Sequence, residues 1–254
     1  MRRAVSFLTP FGGAADPAPS ALAWFPAVGA IIGLGVGGIW WAARRAWAPP
    51  AAAAIALIAD AALTGMLHLD GFADAADGLL PPLPRARRLE VMADPRLGAF
   101  GVAGLAIVLL ARFGAFASML PSPLAVAGLW SGSRTAMAVT VRAVPYARPG
   151  GLASAFRTAT APGPARPRAA SGLAGLADLA GPAVLGLAGA LLATGLAFAG
   201  RGALGLAAVG AEAVAAAAVV LLAWLRLGGF TGDVLGAAAV AGETAGLLTL
   251  AWQW

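Results

Sequence analysis

Cysteine is absent from this 254-residue chain, so disulfides and thiolate metal sites are excluded. Lysine is absent too, and all 17 basic residues are arginines. There is a single histidine and a single tyrosine, and only eleven residues are acidic. Charged residues make up 11% of the chain against 60% hydrophobic, with a mean hydropathy of +0.84. That balance excludes an ordinary water-soluble domain and describes a chain solvated mainly by lipid. The net charge of +6 would suggest nucleic acid in a soluble protein. Here the arginines lie in loops between apolar runs, so the charge reads as membrane orientation. The N-terminus, "MRRAVSFLTPFGG", starts like a signal peptide but breaks at Pro10 after a very short apolar stretch, and is expected to be retained.

What is present is a set of long apolar runs. A bilayer core of roughly 30 Å needs about 20 apolar residues per helix. Seven runs qualify as expected spans: 24–43, 50–67, 98–120, 123–143, 179–200, 203–225 and 234–253. The expected fold is all-α, a polytopic membrane bundle with about seven transmembrane helices in a single domain, 1–254. Alanine and glycine three or four residues apart should let the helix backbones approach closely.

With the N-terminus placed in the cytoplasm, that side holds Arg2, Arg3, Arg85, Arg87, Arg88, Arg96, Arg142, Arg148, Arg157, Arg166, Arg168 and Arg226. The opposite side holds Arg44, Arg45 and Arg201, while Arg112 and Arg134 fall within spans. Twelve against three is a strong positive-inside bias. Trp40, Trp41, Trp47, Trp252 and Trp254 would then gather at the outer interface. The polar motifs, within 68–101, 144–171 and 226–236, all fall on the cytoplasmic side, so the chemistry is expected at one membrane face.

The acids are unevenly placed. "HLDGFADAADGLL" puts Asp70, Asp74 and Asp77 beside the only histidine, His68, and Glu90 and Asp94 follow closely. Spacings of i, i+4 and i+7 project three carboxylates from one helix face, where like charges repel. A cation is expected against them, and hard oxygen donors without thiols favour Mg²⁺ or Mn²⁺. Mg²⁺ commonly binds a few carboxylates together with substrate phosphates, so the metal suggests the substrate. The plainer alternative is a solvated acidic face neutralised by Arg85, Arg87 and Arg88. Gly71 and Gly78 bracket the triplet and suggest close approach of a bulky ligand.

Further candidates surround this motif. Asp94 could complete the metal shell and Arg96 could hold a phosphate, or the two could be an interfacial ion pair. His68 is a candidate base or a hydrogen-bonded structural residue. Arg112 and Arg134, each costing at least about 2.5–3.5 kcal/mol at mid-membrane, either line a phosphate-accepting cavity or pair with buried acids. "PYARPGG" and "GGFTGDVLGA" carry Arg148 and Asp233 in glycine-rich turns whose amides can hold phosphate oxygens.

Taken in order, "TGMLHLDGFADAADG", "RRLEVMADPRLGAFG", "SGSRTAMAV", "PYARPGGL" and "GGFTGDVLGA" closely resemble the cobalamin synthase family, the adenosylcobinamide-GDP ribazoletransferases. The resemblance runs from Phe7 to the C-terminus. It implies a bacterial inner-membrane enzyme of the last step of vitamin B12 assembly, with its active site facing the cytoplasm. Such enzymes transfer cobinamide phosphate from a GDP-linked corrinoid onto α-ribazole or its 5′-phosphate, release GMP and use Mg²⁺. The family's acidic motif falls on Asp70, Asp74 and Asp77, its second aspartate on Asp94, and the aspartate after Thr-Gly on Asp233. The chain departs from the family at Pro10, where arginine usually follows Phe-Leu-Thr. It departs again at Arg112, where lysine is common, and at Val240, where a glutamate often stands.

Two other classes share some of these features. A CDP-alcohol phosphatidyltransferase also places aspartates along helices at the cytoplasmic face, but its Asp-Gly-x-x-Ala-Arg signature is missing. An ion-coupled transporter would explain intramembrane charge, but the halves do not repeat and the polar residues cluster at one face. The expected partners are small-molecule substrates and the lipid bilayer, not nucleic acid, with assembly into a homo-oligomer left open.

Overall fold

The computed structural model describes residues 1–13, 16, 18–148, 156 and 173–252, with backbone alone at 173–180. Ten α-helices are found among them. They are α1 (Arg2–Leu8), α2 (Phe25–Ala46), α3 (Pro49–Thr64), α4 (Leu67–Leu79), α5 (Arg85–Val91), α6 (Ala99–Ser118), α7 (Pro123–Ala143), α8 (Leu173–Arg201), α9 (Ala203–Leu227) and α10 (Gly232–Leu250). The described residues contain no strand, only an isolated bridge between Tyr146 and Phe230.

Local chemistry sets the boundaries. Ser122 caps α7 and is followed by Pro123 at the first helical position, where the missing amide costs nothing. Thr231 caps α10 through its side chain. α3 opens on Pro49 and Pro50 and stops at Gly65, whose φ of +61° lies in the left-handed region. Met66 follows with φ of +60°, and the chain leaves this corner as α4, turned 91° from α3.

Five segments are long and apolar enough to cross a membrane: Pro19–Ala46, Ala99–Ser118, Gly181–Arg201, Ala203–Leu227 and Gly232–Leu250. The bent pair α3 and α4 makes a sixth if taken as one broken span. This is a polytopic helical membrane protein. The fourth expected span, 123–143, is α7, helical over 21 residues but too polar to qualify alone. Its Ser131, Ser133, Arg134, Thr135 and Thr140 are all buried. They are shielded by α2, α8, α9 and α10, which pack around it. α7 therefore needs no apolar exterior, and hydropathy underrates it.

Glycine lets these helices touch. On α2, Gly29, Gly33 and Gly37 recur every fourth residue and face α7. A Cβ at Gly29 would stand 2.3 Å from the Trp130 carbonyl oxygen, and one at Gly33 2.7 Å from the Ala127 Cα. The backbones are in contact along this stripe, as the small-residue spacing predicts. By contrast α8 and α9 bury little of their surface and expose Leu187, Leu191, Val214, Leu221 and Leu225. These are lipid-facing side chains.

Two expectations change. Trp40 is fully buried and packs edge-on against Phe116 with ring centroids 4.8 Å apart, so it belongs to the core rather than an interfacial belt. Trp41, Trp47 and Trp252 are exposed, and Trp254 lies outside the described residues. Gly71 and Gly78 admit protein rather than a ligand. A Cβ at Gly71 would lie 3.0 Å from the Asp233 Cα, and one at Gly78 2.2 Å from Met92 Cγ.

Candidate active site

The polar connections meet at one end of the bundle. Arg85 Nε donates to the Leu227 carbonyl at 2.8 Å, and Arg148 Nη2 donates to the Leu89 carbonyl at 3.2 Å. The Phe230 amide donates to Pro145 O at 2.9 Å, tying the loop after α7 to the loop before α10. The other end is plain: Ser122 Oγ donates to Gly200 O, and Arg201 donates to Leu120 O. Of the loop 144–171, only 144–148 and Phe156 are described. Arg157, Arg166 and Arg168 lie outside the described residues.

α4 carries the acidic motif across this end and packs on α10 through Gly71 and Gly236. Asp70 is exposed and Asp74 half-buried. The negative charges bearing on Asp74 are Asp70, Asp233 and Asp77, and Arg148 opposes them. Arg148 Nη2 stands 3.8 Å from an Asp233 carboxylate oxygen, and Thr231 Oγ1 donates to that same oxygen at 3.2 Å. Asp70, Asp74, Asp233 and Arg148 thus form one electrostatic unit built from α4, the start of α10 and the loop after α7.

Asp77 faces another way. Its carboxylate is buried and accepts the amides of Gly98 at 2.7 Å and Gly101 at 2.9 Å. These are the N-cap and third residue of α6, so an acid from α4 satisfies two amides that the helix itself leaves open. Asp94 lies beyond, on the loop into α6, and takes the Arg96 backbone amide and Nε at 3.0 Å and Nη2 at 2.7 Å. Those hydrogen bonds from Arg96 hold the Asp94 carboxyl down at about 2.

Arg112 and Arg134 are buried within the bundle. Arg112 donates Nη1 to Asp60 at 2.9 Å, Nη2 to Glu243 at 2.7 Å and Nε to Thr244 Oγ1 at 2.8 Å. Its Nη2 also reaches the carbonyl of Val240, the position where the family often has glutamate. Arg134 pairs with the other oxygen of Glu243, which also accepts from Ser133 Oγ at 2.8 Å. Trp130 Nε1 donates to Asp60 at 3.0 Å. His68 is buried at the start of α4 with Nδ1 3.5 Å from Arg134 Nη2, so its ring points into this network. The network joins α3, α6, α7, α10 and α4.

Asp60 and Glu212 escaped the sequence reading. Asp60 sits in an otherwise apolar helix, and two intramembrane arginines were the signal that such a counter-charge exists. Glu212 is buried with neither carboxylate oxygen hydrogen-bonded among the described residues. It lies where Gly132 leaves room, since a Cβ there would come within 2.4 Å of Oε2.

Among the described residues, no three His, Asp or Glu side chains stand close enough to hold a metal ion unaided. Mg²⁺ does not require such a cage, because it keeps several waters and takes one or two carboxylates plus substrate phosphates. Asp70 and Asp74, one turn apart on a helix face and short of cationic partners, suit that demand.

Comparison with known proteins decides the family. The model of the family described as cobalamin-5-phosphate synthase matches residues 1–251. The chain belongs to this family. Members named adenosylcobinamide-GDP ribazoletransferase in Brucella ovis, Brucella canis and Brucella suis are each 36% identical to it over 246 residues. The alignments cover 92% of this chain and 86% of each relative. No solved structure matches. Within a cobalamin-5-phosphate synthase, the end of the bundle that carries Asp70, Asp74, Asp233 and Arg148 is the candidate active site.

Proposed function

We propose that the chain joins GDP-activated adenosylcobinamide to α-ribazole, or to its 5′-phosphate, and releases GMP as the last joining step of cobalamin synthesis. Membership of the family supports the transfer. The observation that supports its location is the grouping of Asp70, Asp74 and Asp233 beside Arg148.

In this reading Asp70 and Asp74 would hold Mg²⁺, which when bound neutralises diphosphate charge and helps the GMP oxygen leave. Arg148, whose side chain is 28% exposed beside Asp233, would neutralise diphosphate charge. Arg96, exposed on the loop before α6 and paired with Asp94, is a further candidate to meet phosphate. The ribazole hydroxyl attacks the phosphorus on the corrinoid side, opposite the departing GMP oxygen. Its proton passes to Asp233, whose carboxylate is oriented by Thr231. The protein's contribution is chiefly position and charge, as is usual for phosphoryl transfer.

Asp77, Asp94 and His68 act by positioning. Asp77 ties the metal-bearing helix to the start of α6, Asp94 orders Arg96, and His68 docks the head of α4 on Arg134. Arg112 and Arg134 fix the helices beneath the site through Asp60 and Glu243, rather than meeting phosphate themselves.

The active end faces the cytoplasm of a bacterial inner membrane. Twelve arginines against three support this orientation. The test of function is direct. Purified chain with Mg²⁺, adenosylcobinamide-GDP and α-ribazole should release GMP only when α-ribazole is present. GMP release that ignores α-ribazole would indicate hydrolysis and contradict the reading.

A further inference from the structure

Arg85, Arg88 and Arg226 converge where α4 and α9 end and α5 begins, at the opposite end of α4 from Asp70. Arg88 Nη1 donates to the carbonyls of Gly78 at 2.8 Å and Leu79 at 2.9 Å. Arg226 Nη1 also donates to the Leu79 carbonyl, and to Leu80 at 3.2 Å. Arg85 lies one turn before Arg88 on α5 and donates Nε to the carbonyl of Leu227, the residue after Arg226, and Nη2 to that of Ala147 at 3.4 Å. Two guanidinium groups therefore share one carbonyl oxygen, and a third is bound beside them.

None of the three forms an ion pair among the described residues, although Arg87 between them pairs with Glu90. Arg88 is only 7% exposed. Burial and the neighbouring Arg226 charge together push its guanidinium below the usual arginine range. A buried cation beside a like charge is costly unless an anion offsets it. The backbone carbonyls are partial charges and leave a net of three positives. Donors also remain: Nε and Nη2 of Arg88 and of Arg226 have no protein acceptor among the described residues. Planar guanidinium forks grouped this way match the geometry of phosphate oxygens.

We propose that Arg85, Arg88 and Arg226 form a phosphate-binding site that adjoins the transfer site but shares no residue with it. Leu79 lies nine residues along α4 from Asp70 and five from Asp74, about 13 Å and about 7 Å at 1.5 Å per residue. The site's flanks are apolar and open: Leu80 is 51% exposed and Leu225 73%. Arg226 closes the lipid-facing helix α9, so the three charges stand at the depth of lipid headgroups. The ligand chemistry is a phosphate oxyanion, carried by an anionic phospholipid or free in solution. This inference stands whether or not the transfer reading holds.

The experiment uses the full chain in detergent. Binding of phosphatidylglycerol, phosphatidylcholine and inorganic phosphate is measured by native mass spectrometry and by the shift in unfolding temperature. Wild-type protein should retain phosphatidylglycerol over phosphatidylcholine. Arg85→Gln, at an exposed position, and Arg226→Gln, at a partly exposed one, should each weaken that binding about tenfold, and Arg226→Lys less so. Arg87→Gln removes the same charge from the adjoining surface and should leave binding unchanged. Saturable stabilisation by inorganic phosphate, lost in the same two variants, would assign the site to a soluble phosphate. Absence of binding by either anion, or equal loss in Arg87→Gln, would overturn the proposal.

Discussion

The Asp77 carboxylate accepts the amide of Gly98 at 2.7 Å, and with it α4 is fastened to the first turn of α6. The third acid of a motif that looks uniformly suited to metal is thus a helix cap supplied from another helix. The division of labour along one stretch of α4 follows from direction alone. Asp70 is exposed and Asp74 half-buried, whereas Asp77 is turned under α6.

Replacing Asp77 with alanine should therefore act on stability before it acts on metal. Two amides at the start of α6 would lose their acceptor, at a cost of about 1–2 kcal/mol. Hydrogen exchange over 98–102 should accelerate while affinity for divalent ions is retained. A fall in metal affinity with unchanged exchange would instead make Asp77 a ligand.

The buried charges give a second outcome. Arg112→Met would leave Asp60 and Glu243 without their shared partner, and breaking a buried pair from one side costs roughly 3–5 kcal/mol. The variant should fail to survive extraction in detergent. Arg112→Lys keeps the charge but cannot reach Asp60, Glu243 and Thr244 together, so it should fold with a lowered unfolding temperature. A stable Arg112→Met protein with only a raised KM would point to phosphate binding.

Close helix contact gives a third. Gly33→Leu places a branched side chain where a single Cβ already falls 2.7 Å from the Ala127 Cα. α2 and α7 must separate, and the unfolding temperature should drop sharply. The same change at Gly38, where a Cβ meets nothing within 4 Å, should be tolerated.

Orientation is open to test because the chain has no cysteine of its own. A membrane-impermeant thiol reagent applied to intact cells should label Ala48→Cys and not Ala86→Cys. Inverted vesicles should give the reverse. Labelling of Ala86→Cys from outside would place the acidic cluster on the wrong side for the proposed function.

Much of this could be read from the residues themselves. Hydropathy located the spans because lipid-facing helices such as α8 and α9 must be apolar around most of their circumference. It was least informative at α7, whose surroundings are other helices. Spacing found the acids on α4, yet it could not say which neighbour each would meet. The contacts that distinguish Asp77 from Asp74 lie in α6 and α10, far along the chain. The partners of Arg112 are likewise remote: Asp60 and Glu243 lie 52 and 131 residues away. Two intramembrane arginines announced a polar core, and only the packing names its acids.

The most direct measurement is GMP release by the purified chain after exhaustive chelation and stepwise return of Mg²⁺. Wild-type turnover should vanish on chelation and recover with added ion. Asp74→Asn should remain monodisperse and folded yet show at least a hundredfold loss, on the order expected when a charge-stabilising group is removed. Undiminished turnover in chelator, or near-normal turnover by Asp74→Asn, would contradict a metal held by α4.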